Sequence, residues 1–251
     1  MLPMKSHMYK SPSTAIPTVR DLTVLYEDNH LLILDKPAGL LTVPDSSRAP
    51  SLLDSGKEYL KKTRGKAGNV FLGVVHRLDR PVSGIVCFAV TSKAAARISE
   101  QIRTHAFRKT YLAVTDRPPP GRAGFIDTCL EKDVSRNLVR VTDVSRADRP
   151  CLRARTQWKI VQTVGTYHLM RIYPETGRPH QIRAHLAFIG CPILGDVKYG
   201  SNASLPGRMI ALHALRVEFL HPVRMEKVVF DATLPDREPW NVFKKKRLND
   251  V

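Results

Sequence analysis

Two short segments concentrate the side chains able to move protons or brace charge: HRLDRPVSG at 76–84 and TGRPHQIRAHL at 176–186. In the first, Asp79 stands between Arg77 and Arg80, directly after His76 and Leu78. Val75 and Leu78 can anchor this loop from below, Pro81 fixes a φ near −65°, and Gly84 lets the backbone turn into the segment that follows. In the second, Arg178, His180, Arg183 and His185 crowd one helix start around Gln181. If Ile182, Leu186 and Ile189 face the core, one of Arg178 and Arg183 turns inward, and a buried guanidinium needs an anion. Asp79 is a suitable partner. A carboxylate held in this way keeps its charge and can serve as nucleophile or base. On residue types alone a structural ion pair is the commoner outcome. His180 and His185, five residues apart, do not share a helix face as metal ligands would.

The surrounding pattern says what must position these groups. VLYEDNHLLILDKPAG reads as two apolar runs about an Asp28-Asn29 turn, a hairpin signal. VFLGVV at 70–75 reads as a buried strand entering His76, and IVCFAV after Gly84 as another. Ser92 is placed to cap a helix in which Ala94, Ala95, Ile98 and Ile102 recur at helical spacing. FRKTYLAVT is a strand ended by Pro118–Pro120 and Gly121, and further strands are expected at 125–130, 137–142, 151–162 and 166–173. A helix over 179–189, the mixed segment RMIALHALRVEFLHP and a last strand KVVFDATLP follow. Residues 45–69, around a short helical pattern at 52–60, look peripheral. Many strands on short turns with helices inserted singly predict an α+β fold built on a mixed, largely antiparallel sheet.

Composition narrows the partner. The formal charge is +17 with a sequence pI near 10.0, which favours a polyanion, and nucleic acid leads because Lys and Arg release counterions from phosphate. A membrane surface is the rival, but no run of about 18 apolar residues is present to span a bilayer. Residues 1–20 lack the apolar centre of a secretory signal, and Pro3, Pro12 and Pro17 oppose an amphipathic transit helix. They are read as a flexible leader, and an intracellular protein is expected. Cys87, Cys129, Cys151 and Cys191 stand singly, without CxxC spacing, so neither a zinc ribbon nor a disulfide framework is indicated and reduced thiols are expected. There is no GxxxxGK[ST] loop, no GxGxxG after a strand, no HExxH and no zinc deaminase signature, so chemistry by side chains alone is expected, with no metal.

The chain resembles the RluA-type RNA pseudouridine synthases. HRLDRPVSG is similar to that family's HRLDxxTSG signature, and the likeness continues in the family's order through DKPAG at 35–39, RKTYLAV at 108–114, TGRPHQIRAHL, GCPILGDVKYG at 190–200 and LHALRVEFLHP at 212–222. The resemblance implies a long mixed sheet in two lobes with flanking helices and a central cleft. It implies an isomerase that cuts the C1'–N1 bond of a uridine in RNA, turns the uracil and rejoins it through C5, with no cofactor. Carried over by motif, Asp79 matches the catalytic aspartate, acting at C1' or on the C2' proton. Tyr111 matches the tyrosine that lies against the uracil and takes the C5 proton, and Arg183 matches the basic residue paired with the aspartate. Arg77 takes the place of the arginine that fills the space left by the extruded base. His76, Arg80, Arg178 and His180 complete the expected RNA contacts. Val82 departs from the family's threonine, which puts the loop geometry in question more than the catalysis.

The expected organisation is a leader at 1–20, a catalytic domain at 21–238 and a basic tail at 239–251, with no S4 RNA-binding domain upstream. Target choice then rests on the catalytic domain and its insertions at 45–69 and 116–150, where Lys57, Lys61, Lys62, Arg64 and Lys66 could follow phosphates. Ribosomal or transfer RNA is the expected substrate, a monomer the expected state and the cytoplasm the expected location. Two other classes fit less well. A binding or ribosome-assembly protein of the same fold does not need an ionised carboxylate facing a polyanion. A glycosidase needs a second acid, and Asp35 and Asp196 read as loop or turn residues.

Overall fold

A computed structural model describes residues 22–65, 67–133, 135–142 and 151–243. The expected leader and the basic run at 244–247 lie outside these. Eleven strands form one sheet: β1 (Thr23–Glu27), β2 (Leu31–Lys36), β3 (Gly73–Val74), β4 (Ser83–Ala89), β5 (Arg108–Thr115), β6 (Ala123–Asp133), β7 (Leu138–Thr142), β8 (Leu152–Val164), β9 (Tyr167–Pro174), β10 (Leu212–Leu220) and β11 (Lys227–Asp231). Helices α1 (Leu52–Thr63), α2 (Ser92–Arg103) and α3 (Gln181–Phe188) flank it. The order across the sheet is β1-β2-β4-β10-β5-β9-β8-β6-β7, with β11 on β10 and β3 on β4. Every pairing is antiparallel except β4 with β10, which holds only at His213–Ser83 and Ala214–Gly84. That short parallel seam lies within the sheet, and the largely antiparallel α+β architecture expected from the strand pattern, with the two lobes that the resemblance implied, is what forms.

One row of facing residues crosses the seam: Lys36, Gly84, Ala214, Tyr111, Ile172, Trp158 and Gly124. Directly opposed residues point to the same side of a sheet, so this row is a floor running from one lobe to the other. Its glycines are there for space. A Cβ on Gly84 would lie 2.3 Å from the Ala214 carbonyl oxygen, and φ there is +113°. A Cβ on Gly124 would lie 2.7 Å from the Trp158 ring. Glycine alone lets β4 and β10 approach at the seam, because no side chain fits the gap and φ is positive.

Several local expectations need correction. VFLGVV forms only the two-residue β3, with Phe71 and Val74 about half exposed, because its partner, the end of β4, takes just two residues. Within the 45–69 segment, read as peripheral, α1 packs one face on the core. Ser51 caps α1 by accepting from the Asp54 amide, and Leu52 and Leu60 are fully buried against the sheet. Helix α2 is capped by Thr91 rather than Ser92: its hydroxyl accepts from the Ala94 amide, so the cap lies one residue earlier than expected. Cys129 and Cys151 are joined in a disulfide, against the expectation of four reduced thiols, because β6 and β8 lie side by side although 22 residues separate the pair. Cys87 and Cys191 are free and buried.

Candidate active site

The 76–82 loop is tied down through its backbone from Leu78 to Val82. The Thr42 hydroxyl donates to the Leu78 carbonyl at 2.8 Å and accepts from the Leu78 amide at 3.1 Å. The Val82 amide donates to the Asp79 carbonyl at 3.0 Å, the Gly39 amide to that of Arg80 at 2.7 Å, and the Ile210 amide to that of Pro81 at 3.3 Å. Val82, buried at this turn, closes it through its backbone, so a threonine hydroxyl is not what holds the loop here. Buried Lys36 adds a cation beneath, its Nζ donating to the carbonyls of Pro37, Leu40 and Arg80. Burial pushes its pKa down to about 7 against the pull of Asp79 and Asp35. Desolvation raises neighbouring Asp35 to about 6.

This frame places Asp79 in the lining of a cleft of about 230 Å³. Arg183 Nη1 donates to Asp79 Oδ2 at 3.1 Å, while its Nε and Nη2 donate to the two oxygens of Asp196 at 2.7 and 2.9 Å. Arg183 is thus the inward-turning arginine, 6% exposed, and Asp196 is 1% exposed, whereas the Asp79 side chain keeps 28% of its surface. Tyr199 stacks on the guanidinium, with Cζ 4.9 Å from the ring centre. Burial works against the Arg183 charge, but Asp196 and Asp79 outweigh it and hold the pKa above its ordinary value. Asp196 was expected to be a turn residue. It is the anchor of the site, and the position of GCPILGDVKYG beside TGRPHQIRAHL was the available sign.

His180 begins α3 in the left-handed region, φ 52°. Its Nδ1 lies 2.9 Å from the Tyr199 hydroxyl, which already accepts from the Val139 amide. The other ring nitrogen, Nε2, faces Asp79 Oδ2 at 3.7 Å. Burial pushes the His180 pKa down despite Asp79. Tyr111 lines the same cleft from β5, and burial, helped by the Asp79 charge, raises its pKa. It rests as a neutral phenol.

The model of the family described as RNA pseudouridylate synthase matches residues 30–188. The chain belongs to that family. The synthase is 32% identical to ribosomal large subunit pseudouridine synthase D of Zymomonas mobilis over 225 residues, covering 85% of this chain and 69% of the relative. It is 31% identical to tRNA pseudouridine synthase C of Pectobacterium carotovorum over 253 residues, covering 94% and 64%. Among solved structures, human RNA pseudouridylate synthase domain containing 4 superposes with a TM-score of 0.72 at 25% identity, covering 85% of this chain and 89% of that one. The protein is an enzyme, an RNA pseudouridine synthase.

Of the residues singled out in the sequence, the cleft of the synthase brings together His76, Arg77, Asp79, Tyr111, Arg178, His180 and Arg183. Arg80 is outside that lining, its Nε donating to the Gly39 carbonyl at 2.9 Å. His76 lies deep, its Nε2 accepting from the Cys87 amide at 2.9 Å, and burial pushes its pKa down to about 3. Arg178 is exposed and donates to the Arg153 carbonyl at 3.2 Å. In the 45–69 insertion Arg64 is paired with Glu27 and Lys62 with Glu58. His185 is buried between the hydroxyls of Thr128 and Thr156. Among the described residues no group of three His, Cys, Asp or Glu is placed to hold a metal ion, and no helix is long and apolar enough to cross a membrane.

Proposed function

We propose that the synthase isomerises uridine within ribosomal or transfer RNA, with Asp79 as the group that works on the ribose. The observation that carries this is Asp79 in the lining of the cleft, fixed by Arg183 at 3.1 Å with Tyr111 on the same lining. A nucleophile or base held by packing loses little orientational entropy at reaction. Asp79 either bonds to C1' or removes the C2' proton as the C1'–N1 bond breaks. The uracil turns and its C5 bonds to C1' as the Asp79–C1' bond breaks or, on the other route, as C2' regains its proton from Asp79. C5 then gives up a proton and N1 gains one. Tyr111, a neutral phenol, supports that exchange by accepting at C5 as its own proton passes on.

Extruding a stacked uridine costs a few kcal/mol, and exposed Arg77, two residues before Asp79, is suited to fill the gap. Arg178 and His180 at the cleft wall serve the phosphates and the loop. Arg80 reaches RNA from outside the cleft, and His76 supports from below. Similarity to a ribosomal large subunit pseudouridine synthase and to a tRNA pseudouridine synthase supports ribosomal RNA and transfer RNA as the targets. A cytoplasmic, monomeric enzyme fits this role.

Pseudouridine mapping of total RNA from cells with and without the gene tests the reading. One or a few uridines should lose the modification and regain it with the wild-type protein but not with Asp79→Asn. An unchanged map, or full recovery with Asp79→Asn, would end it.

A further inference from the structure

Strand β5 carries a second ionisable group into the cleft. Alternate residues of a strand share a face, so Lys109 projects beside Tyr111, roughly 7 Å along the strand. Both line the cleft with Asp79. Lys109 is registered against buried Val217 of β10, and its Nζ reaches the loop between β9 and α3, where a Cβ on Gly177 would lie 3.2 Å away. The cations around Asp79 contrast with it. Arg183 has two carboxylates and Lys36 three carbonyls, whereas among the described residues none accepts from Lys109, and burial lowers its pKa with no counter-charge opposing. An ammonium largely removed from water without a partner is costly. One facing an open cleft is relieved when an acceptor enters.

The acceptor follows from the position. Lys109 stands two residues before the tyrosine read above as lying against the uracil, on the same face of β5. It therefore meets the base and not the sugar. We propose that the Lys109 ammonium holds a carbonyl oxygen of the extruded uracil and stabilises the negative charge that the base carries once its bond to ribose breaks. This rests on the function proposed above. The C1'–N1 bond breaks with its electron pair on the uracil, where the charge spreads over N1, O2 and O4. When C5 bonds to C1', that pair forms the new bond, and Lys109 has kept its proton throughout. A donor aimed at developing charge in a water-poor site acts on the transition state more than on the bound substrate.

The test is single-turnover conversion of a target RNA containing either uridine or 5-fluorouridine at the site, read by nuclease digestion and chromatography as loss of the starting nucleoside, because 5-fluorouridine has no C5 proton to give up and stops at the C5-linked stage. Fluorine withdraws charge from the ring, so the departing base needs less help. Lys109→Met should lower the rate on uridine by about 10²–10³-fold, with RNA affinity within about threefold. The loss should be at least about tenfold smaller on 5-fluorouridine, and Lys109→Arg should recover part of the rate. Lys109→Gln, with a neutral donor, should fall between and serves if the Met variant does not fold. Equal losses on both substrates would overturn the proposal, as would a loss confined to RNA affinity, which would place a phosphate at Lys109. Loss of activity in Asp79→Asn with none in Lys109→Met would defeat this inference alone. Full activity in Asp79→Asn would instead defeat the function on which it rests.

Discussion

Asp196→Asn would separate bracing from chemistry. The carboxylate accepts from Nε and Nη2 of Arg183 at 2.7 and 2.9 Å, and both partners are almost wholly buried. An amide keeps one acceptor oxygen, turns a donor toward the other guanidinium N–H and removes the charge. One charge-assisted bond of about 1.5–3 kcal/mol is lost outright. Breaking a buried pair costs about 3–5 kcal/mol in all. Taking about 3 kcal/mol, the melting temperature should fall by roughly 6–12 °C for a domain of this size. The released N–H then has Asp79 as its other carboxylate partner, so the guanidinium swings toward it and covers the oxygen that must act. A displacement of about 1 Å at a reacting group costs on the order of 10²-fold in rate. Single-turnover pseudouridine formation, measured well below the melting transition with RNA saturating, should show that loss in kcat while RNA affinity barely changes. A variant that melts lower but turns over within about threefold of wild type would refute the bracing role, since a purely structural pair should move stability alone.

Three other outcomes follow from the same geometry. Thr42→Val removes the hydroxyl that both donates to and accepts from Leu78; leaving those buried groups unpaired should cost about 2 kcal/mol, and circular dichroism melts with kcat will show whether stability and rate fall together. Asp28 ties the β1–β2 turn to the β10–β11 turn: burial raises its pKa, but the His30 and Leu31 amides, Tyr26 and His221 overcome this and bring it down to about 2. The folded value lies below the ordinary 3.8, so the stability it confers is complete above pH 3.8 and disappears as pH falls toward 2. The gap in urea stability between wild type and Asp28→Asn should close over that window, and a gap independent of pH would contradict the assignment. RNA affinity measured by filter binding should fall by about 10³-fold or more between 50 and 200 mM salt if six or more phosphates are contacted.

The strands were legible wherever a chain segment carried its own pattern. β4, β5, β8, β9 and β11 follow from apolar runs and turn residues, and the inward turn of one of Arg178 and Arg183 follows from the apolar face of α3. What failed depends on neighbours distant in the chain. VFLGVV has a strand's composition but only two residues of partner. The Cys129–Cys151 bond needs β6 against β8. Asp196 sits in a Gly-Asp step whose local reading is a turn, and its partner is 13 residues earlier on a helix. Thr42 carries no local sign at all, because its role arises from contact with Leu78, 36 residues on. Positions that brace the site were thus harder to find than those facing the cleft, since charge and motif mark the latter while only packing marks the former.

Tritium release from RNA labelled at C5 of uridine, followed in a single turnover by wild type and Asp79→Asn at equal occupancy, tests the central claim most directly. The account predicts rapid release by the wild type and none above background from the variant, with RNA affinity nearly unchanged. Release by Asp79→Asn at the wild-type rate would show that the carboxylate at the floor of the cleft is not the group that acts on the nucleotide.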